Sequence, residues 1–325
     1  MRTDEGAIQP RIHEQALHQL RLIAESGEPP LEQLTPIEAR RMANQRVARN
    51  GWDSAPMSSV EEIDIPGPGG ALRTRFYKPS PSQALPLILF FHGGGFMVGS
   101  LDTHDSLCRI LAARVNAAVL AVDYRLAPEH KFPAAQEDCL YTARWAIENS
   151  TRLGIDVKRI AAAGESSGGN LTAVVAQAAA RASTPPLLVH VMIYPSLDMG
   201  MSFPSYDRFA EGYFFTRKKA EYFINNFLSS ERDAEDIRAS PLRAATLRGV
   251  APALIITAGL DPMVDEAAEY ARRLEADGVS VDYHCYEGWP HGFLFWAHTD
   301  AAQRAMSATV DALRQAFYPT KAADA

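Results

Sequence analysis

The sequence predicts an α/β fold: a mostly parallel sheet with helices on both faces. Three observations carry that prediction. Several short runs are continuously apolar rather than alternating, among them Leu87–Phe91, Ala118–Val122, Ile160–Ala163, Leu188–Ile193 (apart from His190) and Ala253–Thr257. Strands that read this way are covered on both faces, as in a parallel sheet. Segments with helical spacing separate them: Asp105–Val115, Ala134–Ser150, Gly169–Ala182 and Val264–Gly278, with a last helix at Ala301–Phe317. Finally, one strand runs through a glycine-flanked serine, Gly164-Glu165-Ser166-Ser167-Gly168, straight into a helix of small residues, the strand–turn–helix context of a nucleophile elbow.

The elements follow in order. Ile12–Glu25 and Thr35–Asn50 have helical spacing, Pro29-Pro30 separates them, and Thr35 with Glu38 forms a capping box. Ser59–Ile65 and Leu72–Tyr77 alternate around Gly67-Pro68-Gly69-Gly70, which predicts an edge hairpin. Val279–Cys285 is a further strand. Residues 200–242 are too long for a bare crossover and hold Tyr213-Phe214-Phe215 and Tyr222-Phe223. They are expected to pass over the C-terminal edge of the sheet, where α/β sites form. With residues 1–55 they are expected to make a helical cap on a single domain spanning 1–325. Thr320–Ala325 reads as a disordered tail.

The bulk properties exclude several classes. A chain of 325 residues with 47% hydrophobic and 22% charged residues is ordinary for a globular protein. Its net charge of -7 comes without a basic block, against a nucleic-acid surface. Leu87–Phe91 and Leu187–Tyr194 are far too short to span a bilayer, and Met1–Pro10 has no apolar core of a secretory signal. Asn149-Ser150-Thr151 is a formal glycosylation acceptor without meaning in a chain that is not secreted. Cys108, Cys139 and Cys285 form neither a C-x-x-C pair nor a disulfide pattern. Buried free thiols and a cytoplasmic location are the expectation.

The chemistry converges on Ser166. At a sharp turn, glycines two residues before and after the nucleophile remove Cβ atoms that would collide, and only Ser166, with Gly164 and Gly168, has both. His92-Gly93-Gly94-Gly95-Phe96 directly follows the Leu87–Phe91 strand. Three consecutive glycines are costly to order, and they allow backbone N–H groups close approach to a developing oxyanion. A phosphate loop is the competing reading, but neither G-x-x-x-x-G-K-[ST] nor G-x-G-x-x-G is present. A serine nucleophile needs a histidine base and an acid that fixes the histidine tautomer, in the chain order Ser, acid, His. Of the histidines after Ser166, His190 and His284 lie in strands and read as structural, and His298 lies in a polar stretch. His291 sits in a Gly/Pro-punctuated loop just after a strand and is the expected base. Asp261 stands at a strand exit, whereas Asp265 reads as a helix-start acid, so Asp261 is the expected orienter.

These motifs resemble the hormone-sensitive-lipase-like family of microbial carboxylesterases, within the α/β-hydrolases. The matching pieces are His92–Phe96, Asp123–Glu129, Gly164–Gly169, Tyr194-Pro195, Asp261–Glu266 and His291-Gly292-Phe293, in the family's order across about residues 75–315. The resemblance implies an α/β-hydrolase fold, Ser166 as nucleophile, His291 as base and then acid, and Asp261 as its orienter. It implies an oxyanion hole from the Gly94, Gly95 and Ser167 amides, with Gly93 shaping the turn and His92 part of the loop architecture. It also implies a structural charge network of Asp123, Arg125 and Glu129. The elbow departs from the commonest family form, Gly-Asp-Ser-Ala-Gly-Gly, at Glu165 and Ser167.

The implied activity is hydrolysis of short- to medium-chain acyl or aryl esters, a small-molecule substrate, with no cofactor or metal, and a homodimer is compatible with the resemblance. Long-chain triglyceride is not expected, since no long exposed apolar lid is evident. Phe96, Met97, Tyr213, Phe214 and Trp289 are candidate pocket residues, each with a core-packing alternative. An amidase or peptidase using the same triad, or a non-catalytic binding protein of the same fold, remain the other readings.

Overall fold

An unbroken run of buried side chains makes β3 (Leu85–Phe91) the spine of the molecule. The computed structural model describes residues 11–82, 84–181 and 187–319. Residues 1–10 of the expected cap, Ala182 at the expected helix end and the Thr320–Ala325 tail lie outside these. β3 is flanked by β4 (Ala118–Val122) and β5 (Ile155–Glu165), both parallel to it. The expected hairpin is present as β1 (Ser59–Gly67) and β2 (Gly70–Lys78), which close on the Gly67–Gly70 pair. β6 (Val189–Ile193), β7 (Ala253–Leu260) and β8 (Val281–Pro290) complete one eight-stranded sheet. Its order is β1-β2-β4-β3-β5-β6-β7-β8, with only the β1/β2 and β2/β4 pairs antiparallel.

Helices cover both faces because each fully apolar strand has two sides to bury. One core holds Leu89 and Phe91 of β3 with Leu171 of α6 (Ser167–Arg181), Cys139 of α4 (Ala134–Glu148) and Tyr270 of α9 (Val264–Ala276). The other holds Ile88 and Phe90 with Leu111 of α3 (Asp105–Val115), Ala16 of α1 (Glu14–Glu25) and Leu313 of α10 (Asp300–Phe317). The short α5 (Ser150–Leu153) splits off the end of the long helix expected up to Ser150. Cys108 and Cys139 are buried free thiols, while Cys285 is only partly buried. Among the described residues, no helix is long and apolar enough to cross a membrane.

A third cluster joins the N-terminal helices to the excursion after β6. Ala39 and Met42 of α2 (Pro36–Asn50) pack with Tyr206 of α7 (Ser205–Arg208) and with Ala220 and Phe223 of α8 (Arg217–Phe227). The Thr35–Glu38 capping box starts α2: Thr35 N–H donates to Glu38 Oε2 at 2.9 Å and Glu38 N–H to Thr35 Oγ1 at 3.4 Å. From α2, Arg40 reaches the loops beside β3 and β4. It donates to Met97 O at 2.8 Å, to Ala127 O at 2.9 Å, and to both Glu129 oxygens at 2.8 and 2.6 Å. The expected Asp123, Arg125 and Glu129 network is instead three separate pairs. Asp123 pairs with Arg73, Arg125 with Asp138, and Glu129 with Arg40. Each charge finds its partner on a different element, so the three need not meet.

His190, in the middle of β6, is fully buried, with Nδ1 3.1 Å from Pro252 O. Burial pushes its pKa down to about 4, below the ordinary 6.5. The unfolded chain therefore takes up this proton first. The neutral histidine's contribution to stability is full above pH 6.5 and is lost as pH falls toward 4, about 3 kcal/mol over the whole window. Urea unfolding should show native protein losing about 2 kcal/mol more than His190→Gln between pH 6.5 and 5. Equal slopes for the two proteins would contradict this.

Candidate active site

Three strand ends supply the site. β5 turns at Ser166, which is held at φ 56°, and enters α6 one residue later. A side chain is intolerable on either side of that turn. A Cβ on Gly164 would lie 2.3 Å from Gly168 O, and one on Gly168 would lie 2.0 Å from Phe91 O. Ser166 N–H donates to Ile193 O at 2.9 Å, which fastens the elbow to β6. Asp261 is the first residue after β7, and His291 the first after β8.

The three side chains form one hydrogen-bonded line. Ser166 Oγ is 3.0 Å from His291 Nε2, and His291 Nδ1 is 2.6 Å from Asp261 Oδ2. All three are buried, with Asp261 at 1% exposure. Asp261 Oδ1 also accepts the Met263 N–H at 3.0 Å. A carboxylate acceptor at Nδ1 places the neutral ring's hydrogen there and leaves Nε2 free to accept from the serine hydroxyl. The rings of Tyr194 and Phe215 flank His291 at 4.5 and 4.7 Å. The other histidines lie elsewhere: His190 in the core, His284 against Asp282 Oδ1 at 2.8 Å, and His298 against Gln19 at 2.9 Å. Asp265 pairs with Arg208 at 2.7 Å. Its neighbour Glu266 is buried, accepts from Leu197 N–H at 2.7 Å, and is pushed well above the usual carboxylate range by burial.

The glycine loop after β3 faces this line. Gly94 and Gly95 have φ values of 118° and 60°, which L side chains rarely adopt. Met97 and Val98 N–H groups donate to Gly94 O at 3.1 and 2.9 Å and fold the loop on itself. Among the described residues, no backbone acceptor takes the Gly94 or Gly95 N–H. Ser167 is the first residue of α6, so its N–H has no acceptor within the helix. His92 is buried and stacks on Tyr124 at 4.2 Å. Burial pushes its pKa down to about 3, so it stays neutral. A Cβ on Gly94 would lie 2.2 Å from Val98 O. Gly94→Ala should therefore displace the loop, and with the Gly94 amide as the oxyanion donor that the resemblance implies, it should lower kcat by about 100- to 1000-fold. Steady-state hydrolysis of an aryl acetate, with circular dichroism as the folding control, checks it.

Ser166 borders two spaces. The larger, about 340 Å³, is lined by Gly93–Gly95, Val98, Phe214, Phe215, Phe223 and His291, with Leu22, Ile23 and Leu31 of the N-terminal segment and Arg46 and Lys219. The smaller, about 30 Å³, lies between Phe96, Met199, Ile224 and Phe227. Phe214 and Phe96 thus reach these spaces. Met97, Tyr213 and Trp289 do not. Met97 is buried beside α2, Tyr213 packs edge-on against Phe209 at 5.6 Å, and Trp289 is buried between His13 and Phe293. β8 runs on through Pro290, and Trp289 joins the core cluster while His291, the next residue after the strand, enters the site. A depression of about 1160 Å³ along β8 includes Trp289 but none of Ser166, Asp261 and His291. Sequence reasoning missed Val98, Phe223 and the N-terminal lining, whose only signal was their apolar character.

Known proteins share this arrangement. A family model described as the alpha/beta hydrolase fold matches residues 88–295. The carboxylic ester hydrolase LipN of Mycobacterium tuberculosis is 42% identical over 241 residues, 72% of this chain and 64% of that protein. The ethyl acetate hydrolase of Pseudomonas putida is 36% identical over 292 residues, covering 88% of this chain and 92% of that one. The crystal structure of a thermostable esterase from Pseudomonas putida superposes with a TM-score of 0.91 at 34% identity, covering 95% of this chain and 98% of that one.

Proposed function

Since the chain belongs to the α/β-hydrolase family, in its hormone-sensitive-lipase-like esterase branch, and is a serine hydrolase of the carboxylesterase type, we propose that Ser166, His291 and Asp261 carry out its hydrolysis of small esters with short- to medium-chain acyl groups. The observation that carries the assignment is the continuous hydrogen-bonded line from Ser166 Oγ through both His291 nitrogens to Asp261.

Ser166 Oγ attacks the ester carbonyl as Nε2 takes its proton. The carbonyl oxygen becomes an oxyanion within reach of the Gly94, Gly95 and Ser167 amides. The imidazolium, stabilised by Asp261, then gives its proton to the leaving alkoxide, and an alcohol departs. Water repeats the sequence on the acyl-enzyme, with His291 again as base, and releases the acid. The space beside Ser166 between Phe96, Met199, Ile224 and Phe227 is much the smaller of the two, so it favours a small substituent on one side of the scissile bond. The larger, mostly apolar cavity takes the other side.

The contacts among α2, α7 and α8 support reading residues 11–55 and 200–242 as a cap on one catalytic domain. A homodimer belongs to the same proposal, and light scattering tests it. Three free cysteines support a cytoplasmic location, and a net charge of -7 speaks against nucleic-acid partners. Rates on p-nitrophenyl acetate, butyrate, hexanoate, octanoate and dodecanoate test the substrate reading. The expected kcat/KM is highest at or below hexanoate. A continuous rise to dodecanoate would sink it.

A further inference from the structure

Beneath the oxyanion loop lies a buried pair that the reaction as described does not use. Glu165 ends β5, one residue before Ser166, and is 4% exposed. A Cβ on Gly93 would sit 1.8 Å from Glu165 Oε1, so the carboxylate fills the space that the missing side chain leaves. His104, the residue before α3, lies on the carboxylate with Nε2 3.1 Å from Oε1. His104 is buried too, and its ring packs edge-on against Phe295 at 5.2 Å.

Thr103 fixes the proton count. Its Oγ1 donates to Ser100 O at 2.9 Å and accepts the Ser100 N–H at 2.8 Å. A hydroxyl has one hydrogen, so toward His104 Nδ1, 2.8 Å away, Thr103 Oγ1 is an acceptor. Nδ1 therefore carries a hydrogen, and Nε2 shares a second proton with Glu165. The pair as a whole is neutral. The nearest other imidazole, His92, is 5.4 Å from His104 and is kept neutral by burial, so it supplies no countercharge.

We propose that His104 is a charge-compensating positioning residue for ester hydrolysis: it neutralises the Glu165 carboxylate wedged against Gly93, so that charge building on the substrate oxygen meets amide donors and not a buried anion. This rests on the reading of Gly94 and Gly95 as oxyanion donors. His104→Gln keeps a hydrogen-bond donor at Glu165 but removes the charge. Unit charges about 8 Å apart at an effective dielectric of about 20 predict a loss of roughly thirty-fold.

For p-nitrophenyl acetate, His104→Gln is expected to lower kcat by roughly that factor while KM stays within about threefold. Inhibition by phenylboronic acid, whose tetrahedral serine adduct is anionic, should weaken in parallel. Adding Glu165→Gln to His104→Gln removes the anion and should recover about tenfold or more of the lost kcat. A double variant as slow as His104→Gln, or a change confined to KM, overturns the inference. If His104→Gln does not fold, Glu165→Gln alone decides: a kcat loss below about tenfold supports the proposal and a larger one overturns it. Ser166→Ala separates the two readings. If it retains activity, the nucleophile assignment fails. If it is inactive while His104→Gln matches the native enzyme, only the His104 role fails.

Discussion

Ser166→Ala should lower kcat for p-nitrophenyl acetate by about a millionfold and abolish labelling by an organophosphate. On the proposed mechanism the hydroxyl oxygen forms the acyl-enzyme, and alanine removes it while keeping the Cβ that this position already carries at φ 56°. What remains is the donor loop and the cavity, which together still give about 1000- to 10,000-fold over water. Thermal unfolding should shift little, because the side chain makes no packing contact that a methyl group cannot replace. A variant within tenfold of the native rate would show that another nucleophile carries the reaction.

The second large effect concerns the far end of the same line. Asp261→Asn should lower kcat by about ten-thousand-fold while leaving the fold intact. The carboxylate is 1% exposed and takes two donors, Met263 N–H through Oδ1 and His291 Nδ1–H through Oδ2 at 2.6 Å. Asparagine must keep its oxygen toward Met263, which turns its NH₂ toward Nδ1. The ring then carries its hydrogen on Nε2, where it can no longer accept from Ser166. Pre-steady-state acylation of the variant measures this, and a burst at the native rate would remove Asp261 from the chemistry.

Much of this was readable in the chain because each piece is local. The elbow, the glycine loop and the residue after each of β7 and β8 are short segments in which strand, turn and functional side chain are contiguous. The fully apolar strands gave the sheet for the same reason. What the chain did not disclose is where separate segments meet. Trp289 lies two residues from His291, yet it packs into the core with His13 and Phe293 while His291 meets Ser166 and Asp261. Leu22 and Leu31 from the N-terminal segment and Phe223 from the excursion after β6 meet at the cavity, and nothing local marks that meeting. Gly93 could be read as a turn residue, but its lack of a side chain serves the volume of Glu165, a neighbour 72 positions on by sequence number. Asp123, Arg125 and Glu129 are expected from the resemblance to form one charge network, but their partners Arg73, Asp138 and Arg40 come from other elements, which the motif does not contain.

Arg40 decides how firmly α2 is held against the site. One guanidinium bolts α2 to Met97 O, on the stretch continuous with the glycine loop, and to Ala127 O and Glu129 on the segment after β4. The helix is therefore a wall and not a door: swinging it aside would pull on Met97 and, through it, on the glycine loop. Leu22, Ser26 and Phe214 line the larger cavity and take no part in these Arg40 hydrogen bonds. Trimming these side chains while leaving Arg40 alone is then the expected way to widen the cavity for bulkier esters.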